Sequence, residues 1–443
     1  MPEALSGKLL WIFDADRGRF IRRRSAWLSF QLAASIAQSF DCKRKIRPTG
    51  LRFGCDLQTA SLMTSIAGIL GRQVVQALRV HDPRPAPPVV SRARWSVEQA
   101  QDWAQRTPWL LGANFIPSTA GNQLEMWQAD TFDLPTIDRE LGWAAEQFGM
   151  NSMRIFLHDL LWQAEGEAFL DRMEQVLEVA NSHGITVMPV LFDGIWNPRP
   201  VVGRQRDPRP QLHNSIWLQS PGAAVIANPD RWDSLRPYVE AAIGRFAHDP
   251  RIIAWDLFNE PDSPNPAYRK FEPAHKSALV ARLLEQVFDW AAAVDPDQPL
   301  TVGIFNGTKR GAERSRQAAR VIFERSDIYS FHSYEGDKGL ADSIQYLSSF
   351  GRPLVCTEWL GRPRSPAVLL EVLASHSVGG FNWGLVDGRS QTKFPWTSWY
   401  VRRKGEPNPW FHELLHPDGT PYSDQEAQLF RKVASSMSSA PES

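Results

Sequence analysis

The chain has few cysteines, no long apolar run and no net charge. Its 443 residues include three cysteines, Cys42, Cys55 and Cys356, too few for a disulfide framework. Cys356 lies within an apolar run and is predicted to be a small buried hydrophobe, whereas Cys42 and Cys55 could pair if the chain is exported. No stretch of about 18 apolar residues occurs, so the sequence predicts no transmembrane helix.

Motifs of several enzyme classes are also missing. No Gly-x-Ser-x-Gly elbow occurs, which disfavours a serine hydrolase. Paired cysteines at zinc-site spacing do not occur either. His412 and His416 stand four residues apart around a glutamate, but Pro409 and Pro417 leave no room for the long helix of a zinc protease. We therefore predict that the protein uses neither a metal nor a cofactor.

The charges are unevenly distributed along the chain. Residues 1–94 carry 16 Lys and Arg against 6 Asp and Glu, and the remainder carries 33 against 43. The poor periodicity of 1–94 and its Pro-rich stretch at 83–88 predict a basic extension and linker, disordered or weakly helical. The acidic remainder, with a predicted domain at 95–437, argues against nucleic acid as the main partner, because backbone phosphates need a basic surface.

Apolar runs of strand length recur from residue 95 onward, separated by helical patterns. Residues 170–183 and 278–294 have apolar side chains at helical spacing, and Gly184 is a typical residue just after a helix. Eight strands alternating with helices over about 300 residues predict an α/β fold, a (β/α)8 TIM barrel. The rival, a doubly wound sheet, lacks its Gly-rich phosphate-binding motif. The candidate strands are 112–116, 152–157, 185–191, 252–258, 300–304, 328–331, 353–357 and 379–383.

Two further segments complete this interpretation. The connection after the third strand is too long for one helix, and its stretch 196–227, rich in Pro, Arg and Asn, predicts an ordered active-site loop. Residues 425–433 are predicted to form a closing helix after a turn at Asp418 and Gly419.

Two glutamates stand at the carboxyl ends of apolar runs. Glu260 closely follows the run 252–258, and Glu358 follows the run 353–357. The 98 residues between them correspond to three βα units of about 33 residues, which places them on strands four and seven, facing each other across the barrel mouth. Two carboxylates about 5–5.5 Å apart are what cleavage of a glycosidic bond with retention requires. Because like charges raise the pKa of one partner, Glu260 is predicted as general acid/base and Glu358 as nucleophile.

Other polar and aromatic residues also stand at predicted strand ends, where the functional residues of such barrels lie. Arg154 is predicted to keep Glu358 ionised through a charge-assisted hydrogen bond, and Tyr334 to donate to the same carboxylate. As an alternative, Glu358 could be structural and pair with Arg362 or Arg364. The predicted substrate-binding residues are Arg154, His158, Asp193, Trp196, Asn259, His332, Tyr334 and Trp383.

The side-chain amide of Asn259 is predicted to form a hydrogen bond with a sugar 2-hydroxyl. His332 is predicted either to bind the substrate or to support Glu260. Trp383 could form the hydrophobic floor under the cleaved sugar. The chain has 18 tryptophans, and flat aromatic faces pack against the C–H faces of sugar rings. Further candidates for one or two such platforms are Trp196, Trp217, Trp359, Trp396 and Trp399.

These residues resemble the clan A glycoside hydrolases, most closely the cellulase-like family 5, over about residues 95–435. Local stretches such as 114–117 and 154–159 look like a bacterial subgroup often labelled cellulase- or xylanase-like. The resemblance implies a retaining, metal-free β-glycosidase with Glu260 as acid/base and Glu358 as nucleophile. The features that carry it are Arg154, Asn259-Glu260-Pro261, His332-Ser333-Tyr334, Thr357-Glu358 and Trp383, each on a predicted strand end.

One departure from the family pattern concerns the substrate. Family 5 cellulases usually carry a histidine at the end of strand three, where this chain has Asp193 followed by Trp196. The resemblance therefore does not extend to a cellulase or xylanase substrate. Glycan hydrolases of this type are often exported, although no standard signal peptide is evident near residue 1.

The sequence thus predicts a retaining hydrolase of β-linked glycans, whose partner is an oligosaccharide, a polysaccharide or a glycoside. One alternative is a transglycosylase that passes the same intermediate to a sugar hydroxyl. Another is a non-catalytic sugar-binding barrel. The presence of both glutamates together with Arg154 and Tyr334 disfavours it, because binding alone does not need a proton donor opposite a nucleophile. The long loop after strand three either walls off a pocket, for exo action, or lines a cleft, for endo action.

Overall fold

The chain divides into two compact units, Met1–Ala86 and Pro87–Ser443. In the first unit, strands β1 (Trp11–Asp14) and β2 (Arg19–Arg22) pair antiparallel, which the sequence did not predict. The rest of the predicted extension, including Cys42 and Cys55, lies almost entirely outside the described residues. The computed structural model describes residues 11–14, 19–22, 92–401 and 405–438.

Eight parallel strands of the second unit close into a barrel, which confirms the predicted fold. Neighbouring strands follow the order of the chain, and the last strand, Gly379–Trp383, pairs with the first, Leu111–Phe115, to close the ring. Each strand overlaps one of the eight candidate runs. The barrel strands are β3 (Leu111–Phe115), β4 (Ser152–Phe156), β5 (Thr186–Val190), β6 (Trp255–Asn259), β7 (Leu300–Ile304), β8 (Tyr329–His332), β9 (Leu354–Trp359) and β10 (Gly379–Trp383).

Helices connect the strands and cover the barrel. The predicted helices at 170–183, 278–294 and 425–433 correspond to Glu167–Ser182, Lys276–Ala293 and Asp424–Ser438. None of the helices in the described ranges combines the length and apolarity needed to span a bilayer. The helices are α1 (Val97–Arg106), α2 (Gln123–Trp127), α3 (Leu134–Phe148), α4 (Asp159–Glu165), α5 (Glu167–Ser182), α6 (Ala223–Ile226), α7 (Arg236–Arg245), α8 (Lys276–Ala293), α9 (Lys309–Arg314), α10 (Arg316–Arg325), α11 (Asp337–Ser348), α12 (Leu369–Ser375) and α13 (Asp424–Ser438).

Alternation along the strands divides the buried side chains into two layers. On β5, Val187 belongs to the large cluster between barrel and helices, whereas Met188 packs in a small separate cluster with Ala254, Val355 and Phe381. Successive side chains of a strand point to opposite faces, so the small cluster fills the barrel interior. The buried free Cys356 belongs to the outer layer, as a small hydrophobe.

Helix α1 covers the amino-terminal end of the barrel. Ser96 begins it with a capping box, in which Ser96 and Gln99 each accept the other's backbone N–H. Ala100 on this helix packs in the interior cluster with Leu110 and Ile328, which precede strands β3 and β8. The opposite, carboxyl end of the strands is left for the site.

Residues just before position 95 contact the barrel, which bears on where the catalytic domain begins. Arg92 forms an ion pair with Asp327 at 2.6 Å, and Arg94 donates to the carbonyl of Ser326 at 2.7 Å. The division into an extension, 1–94, and a catalytic domain, 95–437, stays a prediction, and we propose that the domain begins a few residues before position 95.

Candidate active site

Glu260 and Glu358 lie at the carboxyl ends of β6 and β9, as the sequence predicts. Glu260 directly follows β6, and Glu358 lies within the last two residues of β9. Both residues are buried, with 5% of their surface exposed. A carboxylate oxygen of one lies within 4.8 Å of an oxygen of the other. This separation fits the roughly 5–5.5 Å of retaining glycosidases better than the 6.5–9.5 Å of inverting ones.

The alternative that Glu358 is a structural partner of a nearby arginine is not supported. Arg362 pairs with Glu426, with Nε donating at 2.9 Å. Arg364 pairs with Glu335. Both arginines thus pair with other glutamates, and neither forms an ion pair with Glu358.

Two donors hold Glu358, one on each oxygen. Nη1 of Arg154 donates to Oε1 at 3.2 Å, and the hydroxyl of Tyr334 donates to Oε2 at 2.9 Å. The structure therefore places both contacts as the sequence predicts. Arg154 can only donate, and Tyr334 donates its hydroxyl proton in this contact, so both contacts favour the ionised form of Glu358.

Arg154 is fully buried and is fixed by several strands. Its Nε and Nη2 donate to Oδ2 of Asp256 at 3.1 and 2.8 Å. Nη1 also donates to Asn114, and Nη2 to Asn259, each at 2.7 Å. The sequence analysis assigned no role to Asp256, although a carboxylate inside an apolar run requires a buried partner.

Glycine at position 303 allows three of these side chains to converge. A Cβ atom there would lie 3.0 Å from Nη2 of Arg154, 3.1 Å from Nε2 of His332 and 3.2 Å from Oδ1 of Asn259. A larger residue would require these neighbours to shift by a few tenths of an ångström, so Gly303 on β7 contributes to the close packing of the site.

His332 links the two glutamates. Its Nδ1 lies 2.7 Å from Oε1 of Glu260 and 3.5 Å from Oε2 of Glu358. Burial lowers the pKa of His332 to about 4, so the ring is neutral at neutral pH. Of its two predicted roles, the structure favours support of Glu260. In the described part of the chain, these three residues form the one group with metal-ligand spacing; the metal-free site stays a prediction.

Burial raises the pKa of both carboxyls, Glu260 and Glu358, to about 7. The mutual repulsion of two such groups means that the pair holds one proton over a range of pH around neutrality. The contacts of Arg154 and Tyr334 with Glu358 lower the pKa of that carboxyl against the effect of burial.

Asp193 and His158 lie behind the site and do not line its cavity. Asp193 accepts from the side-chain amide of Asn259 at 3.0 Å and from the indole of Trp217 at 2.6 Å, so it orients Asn259. Burial raises the pKa of Asp193 to about 7. His158 caps helix α4 by accepting the backbone N–H of Leu160 at 3.2 Å. Their position favours positioning and capping roles over the predicted contact with substrate.

Both glutamates line a cavity whose walls are largely aromatic. Of the predicted binding residues it brings together Trp196, Asn259, Tyr334 and Trp383. The other lining residues are Ile195, His213, Asn214, Pro264, Pro266, Phe305, Trp396, Trp399, Tyr400 and His412.

The five tryptophans considered as sugar platforms divide into two groups. Trp196, Trp396 and Trp399 line the cavity, and the ring of Trp196 stacks on that of Trp399 at 5.6 Å. Trp359 is fully buried in the core, so its prediction as a platform is wrong. Trp217 is also buried and packs behind the cavity, in the cluster that contains Trp383.

Three polar residues of the lining were missed by the sequence analysis. Asn214 is 1% exposed, and neither atom of its amide has a hydrogen-bond partner among the described residues. The same holds for Nε2 of His412, whose Nδ1 lies 2.5 Å from the carbonyl of Leu360. Burial lowers the pKa of His213 to about 3. His213 and Asn214 belong to the predicted active-site loop 196–227, and His412 was weighed only as a zinc ligand.

Three lining residues adopt the left-handed backbone conformation, which is costly for residues other than glycine. Their φ angles are 70° for Trp196, 46° for Asn214 and 44° for Glu260. Such strain concentrates at functional sites, where the surrounding structure holds it. At Gly194, a Cβ atom would lie 2.3 Å from the carbonyl oxygen of Glu260, so glycine is required beside the strained glutamate.

Comparisons with known proteins bear on the family and the fold of the chain. The family model "Cellulase (glycosyl hydrolase family 5)" matches residues 112–404. A solved structure of a GH5_18 variant from Streptomyces cattleya in complex with Manβ1-4GlcNAc is similar, with 15% identity and a TM-score of 0.51, covering 76% of this chain and 82% of that chain. The GH5_18 protein from the same organism with GlcNAc has 15% identity and a TM-score of 0.50, covering 75% and 81%. A comparison with curated protein sequences found no match.

Proposed function

The chain belongs to glycosyl hydrolase family 5, and we propose that this retaining glycoside hydrolase uses Glu358 as its nucleophile and Glu260 as its general acid/base. The observation that supports these roles most is the close approach of the two carboxylates, within 4.8 Å. The unequal surroundings of the pair support this division of roles, since two donors contact Glu358 and the ring of His332 lies closest to Glu260.

In the first step, an oxygen of Glu358 attacks the anomeric carbon of a β-linked sugar. The bond to the leaving oxygen breaks, and that oxygen takes the proton of Glu260. Arg154 and Tyr334 keep the attacking carboxylate ionised and aligned before the step. The product is a glycosyl ester on Glu358 with inverted configuration.

In the second step, Glu260 is ionised and accepts a proton from water. The water oxygen attacks the anomeric carbon, the ester bond to Glu358 breaks, and the second inversion restores the β configuration. General acid and base catalysis of this kind contributes about 10²–10⁴-fold to the rate. His332, within 2.7 Å of Glu260, keeps that side chain in place through both steps.

The lining of the cavity suits a β-linked oligosaccharide or glycoside. Its tryptophan faces can pack against sugar rings, and the unpartnered amide of Asn214 and Nε2 of His412 can bind sugar hydroxyls. The Streptomyces cattleya structure holds a β-linked disaccharide, Manβ1-4GlcNAc. We propose a substrate of the same broad class, a β-linked oligosaccharide, for this chain.

The test is a screen of aryl β-glycosides and β-linked oligosaccharides, followed by NMR of the first product formed from each cleaved substrate. We expect the β anomer to appear first and to mutarotate later. An α anomer as the first product would rule out the double displacement. Failure of every substrate to react with the wild type, together with sugar binding, would favour a binding protein.

A further inference from the structure

A second cavity adjoins the first at Trp399. The indole of Trp399 contributes to the walls of both, and Pro266 of the catalytic cavity is followed directly by Ala267 and Tyr268 of the second one. Most of the second wall comes from the loop 197–218, which also supplies His213 and Asn214 to the first. The two cavities are therefore neighbours along the same loop.

Three arginines give the second cavity its charge. Arg199, Arg206 and Arg209 line it, and none of them forms an ion pair within the described part of the chain. The one acidic residue of its lining is Asp207, whose side chain is 87% exposed and lies 3.6 Å from Arg389. The cavity thus carries an uncompensated positive charge in a unit that is otherwise acidic.

Two of the three arginines lie over aromatic rings. The guanidinium of Arg199 lies 3.7 Å from the ring centroid of Phe271, and that of Arg209 lies 5.8 Å from the ring of Trp399. A guanidinium that stacks on a ring keeps its N–H edge free for an anion. The stacking therefore fixes the direction of the charge without neutralising it.

The loop that carries these arginines is held to the barrel. The backbone N–H of Arg209 donates to the hydroxyl of Ser215 at 2.8 Å, and its carbonyl accepts from the amide of Gln391 at 2.9 Å. Because this backbone is already fixed, less conformational entropy is lost when a ligand binds.

We propose that this cavity binds an anionic group, a carboxylate or a sulfate ester, on a sugar of the same glycan that is cleaved at Glu260 and Glu358. Planar, forked N–H donors match both oxyanions in geometry, and a neutral glycan would leave the arginines without a partner. The inference rests on the proposed function and names its substrate class, an acidic β-linked glycan.

The test uses matched pairs of oligosaccharides. Glucuronic acid-containing oligosaccharides are compared with their carboxyl-reduced counterparts, and sulfated oligosaccharides with their desulfated ones. We expect the wild type to show kcat/KM about five- to tenfold higher for the acidic member of one pair, a preference that weakens as salt is raised. The pair that shows the preference identifies the anion as carboxylate or sulfate.

Two variants locate the effect. The double variant Arg206→Gln, Arg209→Gln should reduce the preference to less than about twofold. Arg204→Gln removes the same charge from the same loop at a residue that does not line the cavity, and should keep the preference. An unchanged preference in the double variant, or an equal loss in Arg204→Gln, would overturn the assignment.

Binding provides a second readout if no oligosaccharide of the panel is cleaved. Calorimetric titration of the Glu358→Gln variant with each pair should show tighter binding of the acidic member, and equal affinities in every pair would contradict the inference. Activity on neutral aryl β-glycosides separates the two proposals. A wild type active on them but indifferent to acidic groups contradicts this inference alone, whereas a wild type inactive on every glycoside contradicts the proposed function.

Discussion

The hydroxyl of Tyr334 donates to Oε2 of Glu358 at 2.9 Å, on the oxygen opposite the one that Arg154 contacts. Burial raises the pKa of Tyr334 well above its usual value, so the phenol remains a donor. A donor stabilises the carboxylate more than the acid and therefore lowers the pKa of Glu358 against the effect of burial. The contact has a direct consequence for the pH dependence of the reaction.

The pH profile of kcat/KM is expected to be bell-shaped around neutral pH, since burial raises the pKa of both glutamates to about 7. Activity rises as Glu358 loses its proton and falls as Glu260 loses its own. In Tyr334→Phe the ionised form of Glu358 loses a donor, so the acidic limb should move to higher pH. The measurement is kcat/KM on an aryl β-glycoside from about pH 4 to about pH 10. The remote variant Tyr346→Phe serves as the control and should leave the acidic limb unchanged. An unchanged acidic limb in Tyr334→Phe would count against the contact between Tyr334 and Glu358.

Replacement of the nucleophile should remove turnover. Glu358→Gln is expected to lower kcat by about 10⁴-fold or more, because no glycosyl ester can form. In Glu358→Gly, azide can occupy the vacated space and attack once, so its product should be a glycosyl azide of inverted, α configuration. NMR of that product checks the prediction, with azide-treated wild type as the control. Near-normal activity of Glu358→Gln would end the assignment.

Replacement of the proposed acid/base, Glu260, should lower kcat/KM by a factor that depends on the leaving group of the substrate. Glu260→Gln cannot protonate the departing oxygen, so substrates with poor leaving groups should lose about 10²–10⁴-fold in kcat/KM. Dinitrophenyl glycosides need little protonation and should lose much less. The slope of log kcat/KM against leaving-group pKa measures this, and a uniform loss across the series would reject Glu260 as the acid.

The buried guanidinium should matter for folding as well as activity. Arg154→Ala leaves Asp256 buried without its ion-pair partner, which typically costs about 3–5 kcal/mol of the free energy of unfolding. Arg320→Ala removes an exposed arginine paired with Glu285 and should change stability by less than about 1 kcal/mol. Denaturant unfolding of both variants tests the difference. Similar stabilities for the two would contradict the central role of Arg154.

The missed residue Asn214 is expected to bind substrate. Asn214→Gly removes its amide, and glycine accommodates the φ angle of 46° without strain. We expect kcat/KM to fall about tenfold, because a buried hydrogen bond to a sugar hydroxyl is lost. Asn228→Gly, in the same loop region but outside the cavity lining, serves as the control. Unchanged kinetics in Asn214→Gly would show that its amide does not contact the sugar.

The residues that could be predicted from sequence are those whose position follows from the barrel alone. Arg154 and Glu358 are 204 residues apart, yet they meet at 3.2 Å because the ends of parallel strands share one rim. The same rule brought Glu260 and Tyr334 to the site. Strand ends are recognisable in a sequence, and closure of the barrel brings the residues at those ends together at one rim.

The rule identifies the rim but gives no side-chain direction. Trp359 directly follows Glu358, and successive side chains of a strand point to opposite faces, so the tryptophan enters the core. Asp193 lies at the correct rim but accepts a hydrogen bond from Asn259 and does not line the cavity. Asn214 was missed because its loop has no periodicity from which its position could be inferred.

The close approach of Gly194 to the carbonyl of Glu260 restricts how this enzyme can acquire new substrates. Connections at the rim of a barrel usually tolerate replacement. Gly194, which directly follows Asp193, lies so close to the backbone of Glu260 that no side chain fits there. A transplanted or randomised loop would have to begin beyond position 194 and keep that glycine, or Glu260, the proposed proton donor, would shift.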